Sequence, residues 1–225
     1  MSKRINYILS EIEKIFPNPE TELKYENPFQ LLVAVVLSAQ TTDKQVNKVT
    51  QEYWLFEKIK SPIDVINMWQ NKLKEGIKSI WLTNSKAKNI YSLSLAISNL
   101  KPESDQEKEI YDKYWYVIPS SIAWLVKLDW VWEKTAKVVA SVLYDIPCVP
   151  VDTHVHRVTN RLWIAKANTP LSTSRQLEKT IPDNLKNKAH HLFIFFGRYF
   201  CLARSPKCND CPLQRICKYY NKKNN

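Results

Sequence analysis

Cys201-Leu202-Ala203-Arg204-Ser205-Pro206-Lys207-Cys208-Asn209-Asp210-Cys211-Pro212-Leu213-Gln214-Arg215-Ile216-Cys217 reads C-x6-C-x2-C-x5-C. Four thiolates so placed can hold a tetrahedral zinc ion or a [4Fe–4S] cluster. The x2 step lets Cys208 and Cys211 grip one centre from a tight turn. Spacing by itself leaves zinc and iron–sulfur both open. Disulfides fit less well. The N-terminal Met-Ser-Lys-Arg-Ile-Asn has no apolar core of a secretory signal, so the cytoplasm is the expected compartment. There, clustered cysteines read as metal ligands. Cys148 lies outside the set and reads as a small buried hydrophobe.

Upstream of this stretch the pattern is helical almost throughout, and strand signals are scarce. Asn27-Pro28 is an N-cap with Pro at the first helical position, opening the apolar run Phe29 to Leu37. Thr42 with Gln45 fits a capping box, and Ser61-Pro62 with Asp64 repeats the start signal. Asn84 is expected to open a helix through Leu95. Thr135 to Tyr144 places Ala136, Val139, Ala140 and Leu143 on one face. Further helices are expected after Asp152 and from about Lys186 to Arg198. Lys101 to Lys113 reads as a solvated charged segment and Asn221 to Asn225 as a frayed tail.

Of the 225 residues, 44% are hydrophobic and 24% charged, the balance of a globular protein with a real core. No apolar run reaches the roughly 18 residues of a membrane span, which excludes membrane-spanning functions. The net charge of +11 suits a polyanionic partner, or simply a well-solvated basic surface.

With the Phe196-Gly197-Arg198-Tyr199 that precedes it, the cysteine tail resembles the iron–sulfur signature of the endonuclease III family. Two more segments are similar to that family. Leu128-Asp129-Trp130-Val131-Trp132-Glu133-Lys134-Thr135-Ala136 occupies the place of the helix-hairpin-helix motif and ends near the lysine that bifunctional members use as nucleophile. Val151-Asp152-Thr153-His154-Val155-His156-Arg157-Val158 carries the family's Asp. Leu37-Ser38-Ala39-Gln40-Thr41-Thr42-Asp43 resembles the segment whose Gln fills the gap left by a flipped base. Trp81-Leu82-Thr83-Asn84-Ser85-Lys86-Ala87 resembles the one whose Leu wedges into the stack. The resemblance runs over roughly residues 7 to 219, with a charged insertion near 100 to 115.

The resemblance implies an all-α, two-lobed helix-hairpin-helix DNA glycosylase fold with a C-terminal [4Fe–4S] cluster loop. A helical barrel domain is expected over 21–146, with the hairpin at about 120–144. Residues 1–20 and 147–225 are expected to form the cluster domain, and DNA to lie in the groove between the two, with Lys134 and Asp152 facing each other across it. Cys201, Cys208, Cys211 and Cys217 are the implied cluster ligands. Gln40, Leu82, Trp130, Trp132, Thr135, Arg204 and Lys207 are the implied DNA contacts; Arg204 and Lys207 have the charge a phosphate-contacting loop needs, although ordinary surface charge would read the same. The partner implied is double-stranded DNA with a damaged base or abasic site, and the state a monomer in the bacterial cytoplasm, associated with the nucleoid.

The chemistry accounts for these residue types. Breaking an N-glycosidic bond develops positive charge at the sugar C1′, which a nearby carboxylate such as Asp152 stabilises. A neutral amine attacks C1′, displaces the base and leaves a Schiff base, whose acidified neighbouring proton permits strand cleavage by β-elimination. Isolated, Lys134 would be a surface lysine and Asp152 a helix N-cap. Lys134 is what separates a bifunctional glycosylase/lyase acting on oxidised pyrimidines from monofunctional mismatch glycosylases.

The chain departs from the family in its glycines. It holds 2 Gly and 8 Trp, where average usage gives roughly 16 Gly. Trp130 and Trp132 replace both hairpin glycines, Trp81 and Trp163 also stand at family Gly positions, and Trp115 and Trp124 fall at plausible ones. Together with Trp54 and Trp69 they suggest one cause: a gene in which UGA encodes glycine, translated as if UGA were Trp. The rival is a genuine Trp-bearing, catalytically impaired iron–sulfur DNA-binding homologue.

Overall fold

A computed structural model describes residues 2–52 and 55–224; Trp54 lies outside them. Among the described residues there are α-helices and short 3-10 or π turns and no strand. In chain order the helices are α1 (Ser2–Ile15), α2 (Pro28–Ser38), α3 (Asp43–Asn47), α4 (Leu55–Lys58), α5 (Pro62–Gly76), α6 (Thr83–Ser98), α7 (Asp105–Tyr114), α8 (Ile122–Leu125), α9 (Glu133–Tyr144), α10 (Thr153–Arg161), α11 (Pro170–Thr180), α12 (Asp183–Phe195) and α13 (Lys218–Asn224). The chain divides into two compact units, Thr21–Asp145 and Met1–Glu20 with Ile146–Asn225.

The Thr21–Asp145 unit is built around α2. Asn27 caps it, accepting from the Gln30 N–H, and every residue from Phe29 to Leu37 is buried. A helix apolar on all sides belongs at a centre, and α3, α6 and α9 pack on it. Gln30, the one polar residue in that run, is satisfied: its Nε2 donates to the Phe56 and Ile59 carbonyls at 2.8 and 3.0 Å. The Ser61 capping box forms on both sides with Asp64. The Thr42 one forms on one side only, because Gln45 turns its amide to Ser79 Oγ at 2.9 Å.

Other expectations are corrected. Helix α6 starts at Thr83 rather than Asn84, behind Leu82 in the left-handed region, and runs on to Ser98. The charged segment is not merely solvated. It forms α7, and Glu107 is buried, accepting from the Ser120 N–H and Oγ and the Glu103 N–H. Burial works against its charge, and these donors outweigh it, holding the carboxyl below its ordinary value. Residues 218–224 form α13 instead of a frayed tail.

In the second unit, Ile5, Ile8, Leu9 and Ile12 of α1 join Val155 and Val158 of α10 and Leu192 and Phe193 of α12 in one apolar core. The Phe196–Phe200 π turn continues α12. Gly197 lies so close to α10 that a Cβ there would meet His154 Cβ at 2.8 Å. Cys148 is buried, as its isolation suggested.

Among the described residues eight non-glycine residues have positive φ, and three are tryptophans: Trp115 (62°), Trp130 (63°) and Trp163 (57°). Trp163 completes a Schellman motif. Its N–H donates to the Asn160 carbonyl at 3.1 Å and the Ile164 N–H to the Thr159 carbonyl at 2.9 Å, the geometry that selects Gly just past a helix end. Trp115 ends α7 with the simpler αL cap, its N–H donating to the Tyr111 carbonyl at 2.8 Å. Neither indole is buried: they are 79% (Trp115) and 47% (Trp163) exposed, although Trp is on average a highly buried residue.

Candidate active site

Helices α8 and α9 form the hairpin. Leu128 and Val131 are buried and anchor the connection, with the Val131 N–H donating to the Leu128 carbonyl at 3.1 Å. Trp130 takes the left-handed conformation between them. Trp132 does not: at φ −73° it is the extended N-cap of α9, with its indole 69% exposed. Only one of the two hairpin tryptophans therefore strains the backbone, and the other occupies space in front of the α9 N-terminus. Lys134 is the second residue of α9, half-buried in its first turn. Thr135 beside it is buried, in the same first turn of α9.

Gln40 and Leu82 lie in the same unit as the hairpin. Both are exposed and both have left-handed backbones, φ 56° and 60°. A buried structural Gln and a core Leu would have neither property.

In the other unit Asp152 caps α10. Its Oδ1 accepts from the His154 and Val155 N–H groups, each at 2.8 Å, which fixes the carboxylate and engages one of its two oxygens. Burial lowers the pKa of the neighbouring His154 although Asp152 raises it, so that imidazole is neutral near pH 7. From the far end of the same helix, Arg157 donates to the Gly197 and Cys201 carbonyls at 2.7 and 3.1 Å, and Arg161 to the Leu202 and Ala203 carbonyls at 2.7 and 3.1 Å. One helix thus carries the candidate carboxylate at one end and pins the cysteine loop with the rest.

Cys201, Cys208, Cys211 and Cys217 line one cavity with Phe196 and Phe200. Burial pushes the Cys211 thiol up to about 11, and the other three thiols push the same way. Among the described residues no three Cys, His, Asp or Glu side chains crowd closely enough to share a single metal ion. Arg204 and Lys207 are exposed on the loop between the first two cysteines.

A family model described as HhH-GPD superfamily base excision DNA repair protein matches residues 33–183. Endonuclease III of Bacillus subtilis (strain 168) is 42% identical over 96% of this chain and 92% of its own length. That of Rickettsia conorii (strain ATCC VR-613 / Malish 7) is 42% identical over 96% of both chains. The chain belongs to the endonuclease III family. A solved structure of a trapped endonuclease III–DNA covalent intermediate superposes with a TM-score of 0.85 at 41% identity, covering 100% of this chain and 99% of that one.

Within this member of the endonuclease III family, one residue escaped the sequence reading. Lys86, four residues beyond Leu82, is completely buried. Its position on the apolar face with Ala87, Ile90 and Leu93 was the available signal, and a lysine there reads by default as a solvated one.

Proposed function

We propose that the chain excises oxidised pyrimidines from duplex DNA and then cleaves the strand, with Lys134 as nucleophile and Asp152 as the carboxylate that stabilises charge and handles protons. The lysine amine forms a bond to C1′ while the C1′–N bond breaks, and the base leaves with that electron pair and takes up a proton. The C1′–O4′ bond of the resulting aminal then breaks, O4′ takes up a proton and C1′ becomes an iminium; this acidifies the C2′ proton, whose removal expels the 3′ phosphate by β-elimination. The full-length likeness to the trapped endonuclease III–DNA intermediate, with a lysine in the first turn of α9, supports this most. Borohydride trapping on abasic DNA tests it, since a monofunctional glycosylase gives no adduct. We assign the Thr21–Asp145 unit to base extrusion and lysine chemistry and the other to the carboxylate and the cluster. No helix among the described residues is long and apolar enough to cross a membrane; activity at the bacterial nucleoid follows from the proposed substrate.

The cysteine loop fits a [4Fe–4S] cluster. In such a cluster each of four thiolates takes its own iron, and the four cysteines line one cavity. Cys201, Cys208, Cys211 and Cys217 would hold it, and its part is structural, shaping the loop that presents Arg204 and Lys207. Protein purified anaerobically is expected to be yellow-brown with about four iron atoms per chain; stoichiometric zinc without iron in native-source protein would overturn the assignment. Duplex affinity is expected to fall steeply with salt. Arg204→Ala with Lys207→Ala should flatten the log–log slope by roughly 1–2, and an unchanged slope would remove this loop from the interface.

The tryptophans bear on whether the machinery is intact. Trp115, Trp130 and Trp163 adopt the backbone that glycine prefers, at about 1–2 kcal/mol per non-glycine residue, and Trp81, Trp115, Trp132 and Trp163 are all exposed. These facts favour glycine at such positions in the natural protein, encoded by UGA, over a degenerate homologue.

A further inference from the structure

Charged side chains are almost never fully buried unless paired, and Lys86 has no exposed surface. Its partners are the acceptors of one turn. Nζ donates to the Leu37 carbonyl at 2.8 Å, the Ala39 carbonyl at 2.7 Å and Thr41 Oγ1 at 3.1 Å. An ammonium has three protons, and here each finds an acceptor. Leu37 and Ala39 lie at the end of α2, where the last carbonyls lack helical partners and carry the negative end of the helix dipole. These three acceptors alternate around Gln40, at φ 56°. From the other side, the Lys86 backbone N–H donates to the Leu82 carbonyl at 2.9 Å, closing the first turn of α6 behind Leu82, at φ 60°. One residue therefore ties together two left-handed turns whose side chains point outward. Gln45 Nε2 on Ser79 Oγ makes a second tie between the same two segments.

The geometry points to Lys86 as a positioning residue for lesion recognition: it fixes the Gln40 turn against the Leu82 turn so that both side chains enter the duplex as a unit. This rests on the reading of Gln40 and Leu82 as DNA contacts. Pairing the Leu37 and Ala39 carbonyls contributes to the end of α2, and the third bond, to Thr41 Oγ1, carries the same ammonium across to the far side of Gln40. Burial pulls the Lys86 pKa down to about 8, the mark of the cost of desolvating a charge. The ammonium adds three directional bonds to a turn whose own backbone closure is the Thr41 N–H on the Ser38 carbonyl at 3.1 Å.

Lys86→Met keeps the stem and removes the donors. The preference for duplex holding a tetrahydrofuran abasic-site analogue over undamaged duplex is expected to fall about tenfold, while undamaged-duplex affinity stays unchanged. The emission change of a 2-aminopurine placed opposite the analogue should be lost as well. Gln40→Ala is the reference. If Gln40→Ala keeps full preference, the DNA-contact reading fails and the proposal with it. If Gln40→Ala loses preference and Lys86→Met keeps it, the proposal alone fails. A double variant no worse than Lys86→Met supports action through Gln40, and losses that multiply overturn it. Should Lys86→Met not fold, Thr41→Val decides, since it deletes one acceptor and leaves the lysine two. A loss of about threefold in preference supports the proposal, and full preference overturns it.

Discussion

Lys134→Gln is expected to give no borohydride-trapped adduct with abasic DNA while binding the same duplex within about threefold of the parent. A nucleophile acts in the transition state and contributes little to the ground state. The substitution keeps an unbranched polar side chain one atom shorter in the first turn of α9, and the buried Leu128 and Val131 that hold the hairpin are untouched. Asp152→Asn is the companion. Because Asn caps a helix as well as Asp does, its Oδ1 can still accept from the His154 and Val155 N–H groups, so the charge is removed and the cap is kept. Base excision should fall by at least about 10²-fold with an unchanged melting temperature. An adduct formed by Lys134→Gln would place the nucleophile elsewhere.

Glycine at 130 and 132 should tighten duplex binding by about tenfold or more, for two different reasons. Trp130→Gly relieves a left-handed residue and is expected to stabilise the fold by about 1–2 kcal/mol. Trp132→Gly brings no such relief, since φ is −73°; it clears an exposed indole from the N-terminus of α9, where backbone N–H groups can meet a phosphate. Stability should follow position 130 and affinity both positions. Trp115→Gly and Trp163→Gly should stabilise through the ends of α7 and α10. Trp69 lies inside α5, where Gly costs about 1 kcal/mol against a good helix former, so reversion there should not help folding. Weaker binding by the 130/132 pair would favour genuine tryptophans, and UGG codons at all eight positions would end the recoding reading.

Much of the fold was legible because its helix starts are written in local chemistry. Asn27-Pro28, Ser61-Pro62 and Asp152 each use a short side chain to satisfy N–H groups that any helix leaves open, and the Phe29–Leu37 run is apolar but for Gln30, as a buried helix requires. Leu82 could not be read as a helix start: it offers no side-chain cap, and its left-handed turn is closed by the Lys86 N–H on its carbonyl and by Thr83 Oγ1 on the Ile80 carbonyl at 2.6 Å. Glu107 was no more legible, since its donors arrive from Ser120 and Glu103 and make a buried residue out of what looks like a charge run. The cysteine spacing identified the candidate ligands, but not that Arg157 and Arg161 fasten their loop to the helix capped by Asp152. Contacts about 40 residues apart have no local signature.

That fastening makes residues 153–208 behave as one unit in local opening. Releasing the 201–203 segment means breaking three guanidinium bonds to its carbonyls that originate on α10, and the loosened helix would let go of its own first turn and of the carboxylate that caps it. Protection of the α10 amides and of the cysteine loop should therefore rise and fall together, as a single cooperative segment. Damage to the thiols would then be felt at Asp152 as lost order, without any change in the residues that surround the carboxylate.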